Sequence, residues 1–222
     1  CTNFFGVGYI YAKAIGGAAK DNPDVSFAII DDASADSKGP NVAQITFAEN
    51  EGSYLVGAAA ALKTKTDKLG FVGGVNVPLI QKFEAGYFAG AKHANPKIKI
   101  DKTYLTPAGD FSGFAAPDKG KASANSMFQK GADVVYAAAG KSGDGVIQAA
   151  HSAGKWAIGV DSDQALTADK SVAGSVLTSA MKNCSGTVED FVGSVKDDKF
   201  SGGNKEFGLK EDGVSLATTG NH

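Results

Sequence analysis

The sequence has few of the residues from which metal centres and disulfide frameworks are built. It contains two cysteines, Cys1 and Cys184, which are too few for a disulfide framework or a cysteine-based metal site. The three histidines, His93, His151 and His222, lack the spacing of metal ligands. No apolar run reaches the about 18 residues of a membrane-spanning helix, and no secretory signal is visible. We therefore expect neither a metal site nor a disulfide-stapled domain.

The sequence also lacks a large excess of positive or negative charge. The formal net charge is −2, so electrostatics give no reason to expect nucleic acid or an anionic membrane surface as a partner. Hydrophobic residues make up 43% and charged residues 21% of the 222 residues, which is ordinary for a globular protein with a substantial core.

Apolar strands alternate with helices along the chain, which predicts an α/β fold built on parallel sheets with right-handed crossovers. One predicted helix covers residues 51–63, with Asn50 as its N-cap. The alternation breaks at the polar segment 64–68 and then restarts, which favours two lobes. Residues 205–216 alternate like an antiparallel hairpin or a pair of edge strands.

The lobes are predicted as follows. Residues 1–66 and 159–182 form the N-terminal lobe, and residues 67–158 and 183–222 form the C-terminal lobe. The first strand has no preceding element to flank its sheet, and the last residues trail off without a closing element. We therefore expect a fragment of a longer precursor in which the first lobe is incomplete.

A ligand crevice is predicted where two neighbouring strands end. Residues 134–145, VVYAAAGKSGDG, read as a buried strand that runs into a glycine-rich turn, and residues 156–163, WAIGVDSD, as a strand that ends in carboxylates. Carboxyl ends of parallel strands are where ligands bind in open α/β sheets. Gly140 lets backbone N–H groups approach a small molecule, and Asp161 supplies acceptor oxygens, a combination that suits a polyhydroxylated ligand. The alternative is that Asp161 only caps the next turn.

Five segments resemble the basic membrane protein family, the nucleoside-binding lipoproteins of ABC transporters. They are NPDVSFAIID (22–31), NVAQITFAENEGSYLVGAAAA (41–61), KLGFVGGVNVPLIQKFEAGYFAGAK (68–92), PDKGKASANSMFQKGADVVYAAAGKSGDGVIQAA (117–150) and WAIGVDSDQ (156–164). The resemblance covers nearly the whole chain. It implies a two-lobed periplasmic-binding-protein fold of type I, with three interlobe crossings, that closes on a nucleoside like a hinge.

The resemblance also implies roles for individual residues. Asp161 falls where the family places a carboxylate on the ribose hydroxyls, and Lys182 where a lysine reaches the ribose. Gly140 falls at a backbone contact beside the sugar. Phe114 falls where an aromatic ring stacks on the base, and Phe111 is its rival for that role.

One position departs from the family pattern. An Asp-Ala pair usually binds the base, whereas this chain has Lys13 followed by Ala14. A lysine ammonium cannot accept a hydrogen bond from a purine ring nitrogen. We therefore expect Lys13 to lie on the base side of the site and base recognition to differ from that of other family members.

The resemblance further implies an ABC transporter permease as partner, no cofactor, and a monomer on the outer face of the bacterial cell membrane or in the periplasm. The lipid anchor would lie upstream, because the resemblance places Cys1 inside the first lobe. Cys1 and Cys184 then form either a disulfide or two buried thiols.

Two other functions compete with transport. An enzyme on a doubly wound sheet is one, because residues 6–16, GVGYIYAKAIG, resemble a dinucleotide turn, but their spacing is not G-x-G-x-x-G. The sensor domain of a transcription regulator is the other, although no helix-turn-helix is visible.

Overall fold

The computed structural model describes residues 2–219 and confirms the alternation of strands with helices. The strands are β1 (Asn3–Val7), β2 (Ser26–Ile30), β3 (Val42–Phe47), β4 (Lys68–Val75), β5 (Lys99–Thr106), β6 (Val134–Ala138), β7 (Trp156–Asp161), β8 (Val176–Lys182), β9 (Gly203–Phe207) and β10 (Val214–Leu216). The α-helices are α1 (Ala12–Asp21), α2 (Glu49–Lys63), α3 (Pro78–Ala94), α4 (Pro117–Gln129), α5 (Gly143–Ala153), α6 (Gln164–Thr167) and α7 (Cys184–Lys196).

The chain divides into two compact units. Among the described residues, the first contains 2–48 and Asn183–Val214, and the second contains Glu49–Lys182 and 215–219. The chain thus passes between the units three times, as the resemblance implied.

The predicted lobe assignment was wrong for three segments, 49–66, 159–182 and 183–214. Residues 49–66 belong to the second unit, because Val56 and Ala60 of α2 pack in its core against α3 and the central strands. Residues 159–182 also belong to the second unit, because β7 pairs with β6 and β8 pairs with β7. Asn183–Val214 belong to the first unit, where β9 pairs with β3.

The first unit is a parallel sheet with strand order β1-β2-β3-β9 and a helix on each face. Because strand side chains alternate between faces, Phe27 and Ile29 of β2 pack with α1, whereas Ala28 and Ile30 pack with Phe191 of α7. Both faces of β2 are therefore covered, which explains its continuous apolar sequence.

The second unit is a six-stranded sheet with the order β10-β8-β7-β6-β4-β5, and β4 to β8 are parallel. One face packs against α2 and α3 through residues such as Phe71, Tyr87 and Tyr136. The other face packs against α4 and α5 through residues such as Val72 and Ile147. The carboxyl ends of the parallel strands all lie at the same edge of this sheet.

Two edge strands, not a hairpin, follow residue 202. β9 lies at the edge of the first sheet, parallel to β3, and β10 lies at the edge of the second, beside β8. The hairpin alternative was wrong because the two strands join different sheets.

Helices α2 and α3 pack with their backbones in close approach. A Cβ atom added at Gly90 would lie 1.9 Å from the carbonyl oxygen of Tyr54, and one at Gly86 would lie 2.1 Å from that of Asn50. From the α2 side, a Cβ atom at Gly57 would lie 2.2 Å from the oxygen of Tyr87. These distances are far below van der Waals contact, so the interface requires glycine at these positions.

Candidate functional site

Four of the five residues predicted for the site lie at or beside the carboxyl edge of the six-stranded sheet. β7 ends at Asp161 and β8 ends at Lys182. Gly140 follows β6, and Phe114 packs against the ends of β4 and β6. Because these strands are parallel, their ends bring residues distant in sequence to one edge, where ligands bind in open α/β sheets.

Asp161 occupies a tight turn and presents its carboxylate to solvent. Its φ of 64° lies in the left-handed region, and the Ser162 N–H donates to the carbonyl oxygen of Val160 at 2.8 Å. This bond closes a three-residue turn of the strained, positive-φ form. The side chain is 55% exposed. Four other aspartates, Asp31, Asp67, Asp198 and Asp212, share this positive φ, so it is the position of Asp161 at the carboxyl edge of the sheet that makes its carboxylate a candidate for ligand binding.

Lys182 lies beside Asp161 but is held most closely by Glu49. Its Nζ is 3.2 Å from Oε1 of Glu49 and 3.9 Å from Oδ1 of Asp161. The same ammonium lies 5.1 Å from the ring centroid of Phe83, within range of a cation–π interaction. The Lys182 side chain is only 5% exposed. One lysine therefore links a buried carboxylate to an exposed one.

A buried phenol lies next to this charged cluster. Tyr136 of β6 has no solvent exposure, and its hydroxyl is 3.2 Å from Oγ of Ser53 in α2. Burial raises the pKa of Tyr136, and the charges of Asp161 and Glu49 raise it further. The phenol therefore stays protonated and neutral beneath the site.

Phe114 is fixed at the end of a short 3-10 turn, Phe111–Phe114. Asp110 caps this turn by accepting from Ser112 N–H at 3.0 Å, and hydrogen bonds from Ser112 lower the pKa of the Asp110 carboxyl. The buried Ser142 donates to the carbonyl oxygen of Gly113 at 2.7 Å and accepts from the Ala116 N–H at 2.8 Å. These bonds tie the turn that carries Phe114 to the end of β6.

Phe114 packs against the backbone at Gly74 and Gly140, two positions that carry no side chain. A Cβ atom at Gly74 would lie 2.5 Å from Cδ1 of Phe114, and one at Gly140 would lie 3.4 Å from Cβ of Phe114. Gly140 has a φ of +54°, which glycine adopts without strain. The rival aromatic, Phe111, is 45% exposed. The structure thus brings Phe114, not Phe111, onto the predicted glycine turn.

Lys13 lies in the other unit, exposed in the first turn of α1, which follows β1. Cys184 begins α7 and is half-buried. Cys1 and His222 lie outside the described residues, so both alternatives for Cys1 and Cys184, a disulfide or two buried thiols, stay untested.

Within residues 2–219, no three side chains of the histidine, cysteine, aspartate or glutamate types are grouped so that they could hold a metal ion. Over the same residues, every helix is too short or too polar to cross a membrane.

Glu49 and Phe83 were missed by the sequence analysis. The helix predicted from residue 51 left Glu49 outside, whereas α2 begins at Glu49 and its positive end favours a carboxylate there. The signal was an acidic residue between an apolar strand and a helix, but sequence does not show that this side chain is buried.

Comparison with known proteins gives a family match over most of the chain. A sequence family described as "ABC transporter substrate-binding protein PnrA-like" matches residues 3–221. The chain is 43% identical, over 96% of its length, to a CD4+ T-cell-stimulating antigen of Listeria monocytogenes, and 42% identical, over 96%, to the ABC transporter nucleoside-binding protein BmpA of Lactococcus lactis. It spans 61% and 62% of these two relatives, about three-fifths of their length.

A solved structure shares the fold. An ABC transporter solute-binding protein from Aeropyrum pernix superposes with a TM-score of 0.81 at 28% identity, and the match covers 96% of this chain and 60% of the other. The predicted α/β periplasmic-binding-protein fold is thereby confirmed.

Proposed function

This chain belongs to the PnrA-like family of ABC transporter substrate-binding proteins, and we propose that the protein binds a purine nucleoside for uptake. The observation that carries the proposal is the pairing of the exposed Asp161 carboxylate with the Lys182 ammonium, 3.9 Å apart at the carboxyl edge of the sheet. A carboxylate and an ammonium together can accept from and donate to neighbouring hydroxyl groups. The Lactococcus relative, which is named as nucleoside-binding, supports the same ligand class.

Each residue has a distinct role in this proposal. Asp161 accepts hydrogen bonds from the ribose hydroxyls, and Lys182 donates to a ribose oxygen. The backbone at Gly140 contacts the sugar, and the ring of Phe114 stacks on the base. Lys13 is assigned to the base, to which its ammonium would donate, and this favours purines that carry a carbonyl oxygen.

We further propose that the protein is a monomer outside the cytoplasm, held at the membrane by a lipid anchor, and that it delivers its ligand to an ABC transporter permease. Ligand binding would stabilise the closed form that the permease recognises. Membership of a family of substrate-binding proteins disfavours both the enzyme and the regulator hypotheses.

Titration calorimetry with a panel of ligands tests the proposal on protein produced from the complete reading frame. Guanosine and inosine should bind most tightly, adenosine more weakly because it lacks the 6-carbonyl oxygen, and free ribose more weakly still because it lacks a base. Deoxyguanosine should bind at least about 10-fold more weakly than guanosine, since losing one hydrogen bond to a charged group costs about 1.5–3 kcal/mol. Failure of every nucleoside, with binding of another polyol, would contradict the proposal.

Phe114 should contribute more to affinity than the exposed Phe111. Stacking of a base on an aromatic ring is worth about 1–3 kcal/mol, so Phe114→Leu should weaken nucleoside binding by about 5- to 150-fold. Phe111→Leu is the matched control and should change affinity by less than about 2-fold. Calorimetry on both variants measures this, and a larger loss for Phe111→Leu would reverse the assignment.

A further inference from the structure

Glu49 is a fully buried carboxylate with two lysines around it. Its side chain is 1% exposed, and it lies at the first residue of α2. Oε1 is 3.2 Å from Nζ of Lys182, and Oε2 is 3.6 Å from Nζ of Lys82, whose side chain is 44% exposed. A buried carboxylate is tolerated when it is paired, and the positive end of a helix dipole favours it further.

The geometry around Lys182 shows which group holds its ammonium. The distance to Glu49 is 3.2 Å, against 3.9 Å to Asp161, and Asp161 is half-exposed. The ring of Phe83 covers another side of the ammonium. An exposed carboxylate is a weak anchor because water screens it, whereas a buried one at shorter distance is screened much less and attracts the ammonium more strongly.

We propose that Glu49 is a positioning residue for the nucleoside site, which holds the Lys182 ammonium in place before the ligand arrives. The inference rests on the proposed function, because it assigns Lys182 to the ligand. A lysine has four rotatable bonds, and ordering it on binding would weaken affinity. The contacts with Glu49 and Phe83 have already ordered it. Asp161 and Lys182 are then both presented to the sugar without rearrangement.

A double-mutant cycle distinguishes positioning from a general structural role. Calorimetry with guanosine is carried out on the wild type, Glu49→Gln, Lys182→Met and the double variant. Glutamine keeps the shape of Glu49 and removes its charge. We expect Glu49→Gln to weaken binding about 10-fold and to have no further effect in the Lys182→Met background. Unchanged affinity for Glu49→Gln, or an equal loss in both backgrounds, would overturn the inference.

Glu84→Gln is the matched control. Glu84 is a second largely buried carboxylate of the same unit, 14% exposed, which pairs with Lys102 and accepts from the hydroxyl of Tyr104. The Glu84→Gln variant should have a lower melting temperature than wild type and a guanosine affinity within about 2-fold of wild type. A 10-fold loss of affinity there would show that any broken ion pair has this effect, and would overturn the inference.

Melting temperatures of the same variants test the ion pair without ligand. Glu49→Gln should lower the melting temperature, because it leaves the buried Lys182 ammonium without its closest counter-charge. Adding Lys182→Met should recover part of this decrease in melting temperature. If the two substitutions instead lower the melting temperature additively, the inference that Glu49 and Lys182 form an ion pair is overturned. A wild-type protein that binds no nucleoside would instead overturn the proposed function and, with it, the role of Glu49 toward a ligand.

Discussion

Replacing Asp161 by asparagine should reduce nucleoside affinity by at least about 100-fold while the protein stays folded. The carboxylate is proposed to accept from two ribose hydroxyls, and each hydrogen bond to a charged acceptor is worth about 1.5–3 kcal/mol. Losing most of the free energy of two such bonds raises Kd by about 100-fold or more. Calorimetry with guanosine measures the change, and circular dichroism checks the fold.

Asparagine is the informative substitution because of the backbone at this position. The φ of Asp161 is 64°, and asparagine tolerates this left-handed conformation nearly as well as aspartate. Alanine should also abolish binding, but it adds backbone strain in the turn and so confounds two effects. The fold should survive either change, because the pair with Lys182 involves a half-exposed carboxylate, and such pairs contribute about 0–1 kcal/mol.

Asp101→Asn is the control for charge removal. Asp101 of β5 also pairs with a lysine, Lys130, at 2.8 Å, and its side chain is 41% exposed. It lies in the amino-terminal half of β5, away from the carboxyl edge of the sheet. Affinity should stay within about 2-fold of wild type, as expected for a surface position. An Asp161→Asn variant that binds as tightly as this control would refute the assignment of Asp161.

Much of the fold follows from local patterns. Continuous apolar runs predicted buried strands, and Pro78 at the first helical position, followed by spaced apolar residues, is typical of the helix that the structure shows as α3. The register of β7 with β8 opposes Asp161 to Met181, so the proximity of Asp161 to Lys182 follows once both strands are placed in one sheet.

The sequence does not show which of the two compact units each helix and strand belongs to. Periodicity identifies α2 as a helix, but the sheet that it covers is decided by long-range packing of Val56 and Ala60. The polar segment 64–68 suggested a crossing, whereas the chain crosses after Ala48, between the end of β3 and the first residue of α2. The same limit concealed Glu49, because the burial of its side chain depends on Lys182, which is distant in sequence and reaches it only through the fold.

The second large effect concerns stability. Gly90→Ala should destabilise the protein by at least about 3 kcal/mol, the upper end of the range for inserting a methyl group into a well-packed contact. A Cβ atom there would lie 1.9 Å from the backbone oxygen of Tyr54, and a backbone atom cannot rotate away as a side chain can. Helices α2 and α3 would have to separate, which loosens the core that contains Phe83, Tyr87 and Tyr136. Urea unfolding of the wild type and of Gly90→Ala measures the difference in their free energies of unfolding.

Gly193→Ala separates this steric effect from helix propensity. Gly193 lies in the interior of α7, and a Cβ atom there would have nothing within 4 Å. Alanine is favoured over glycine in a helix by about 0.5–1 kcal/mol, so this variant should be slightly stabilised. Gly90→Ala gains the same propensity term and should still lose stability. Because Glu49 begins α2 and Phe83 lies on α3, separating these helices should also weaken nucleoside binding. A Gly90→Ala protein as stable as Gly193→Ala would show that the two helices do not pack as closely as described.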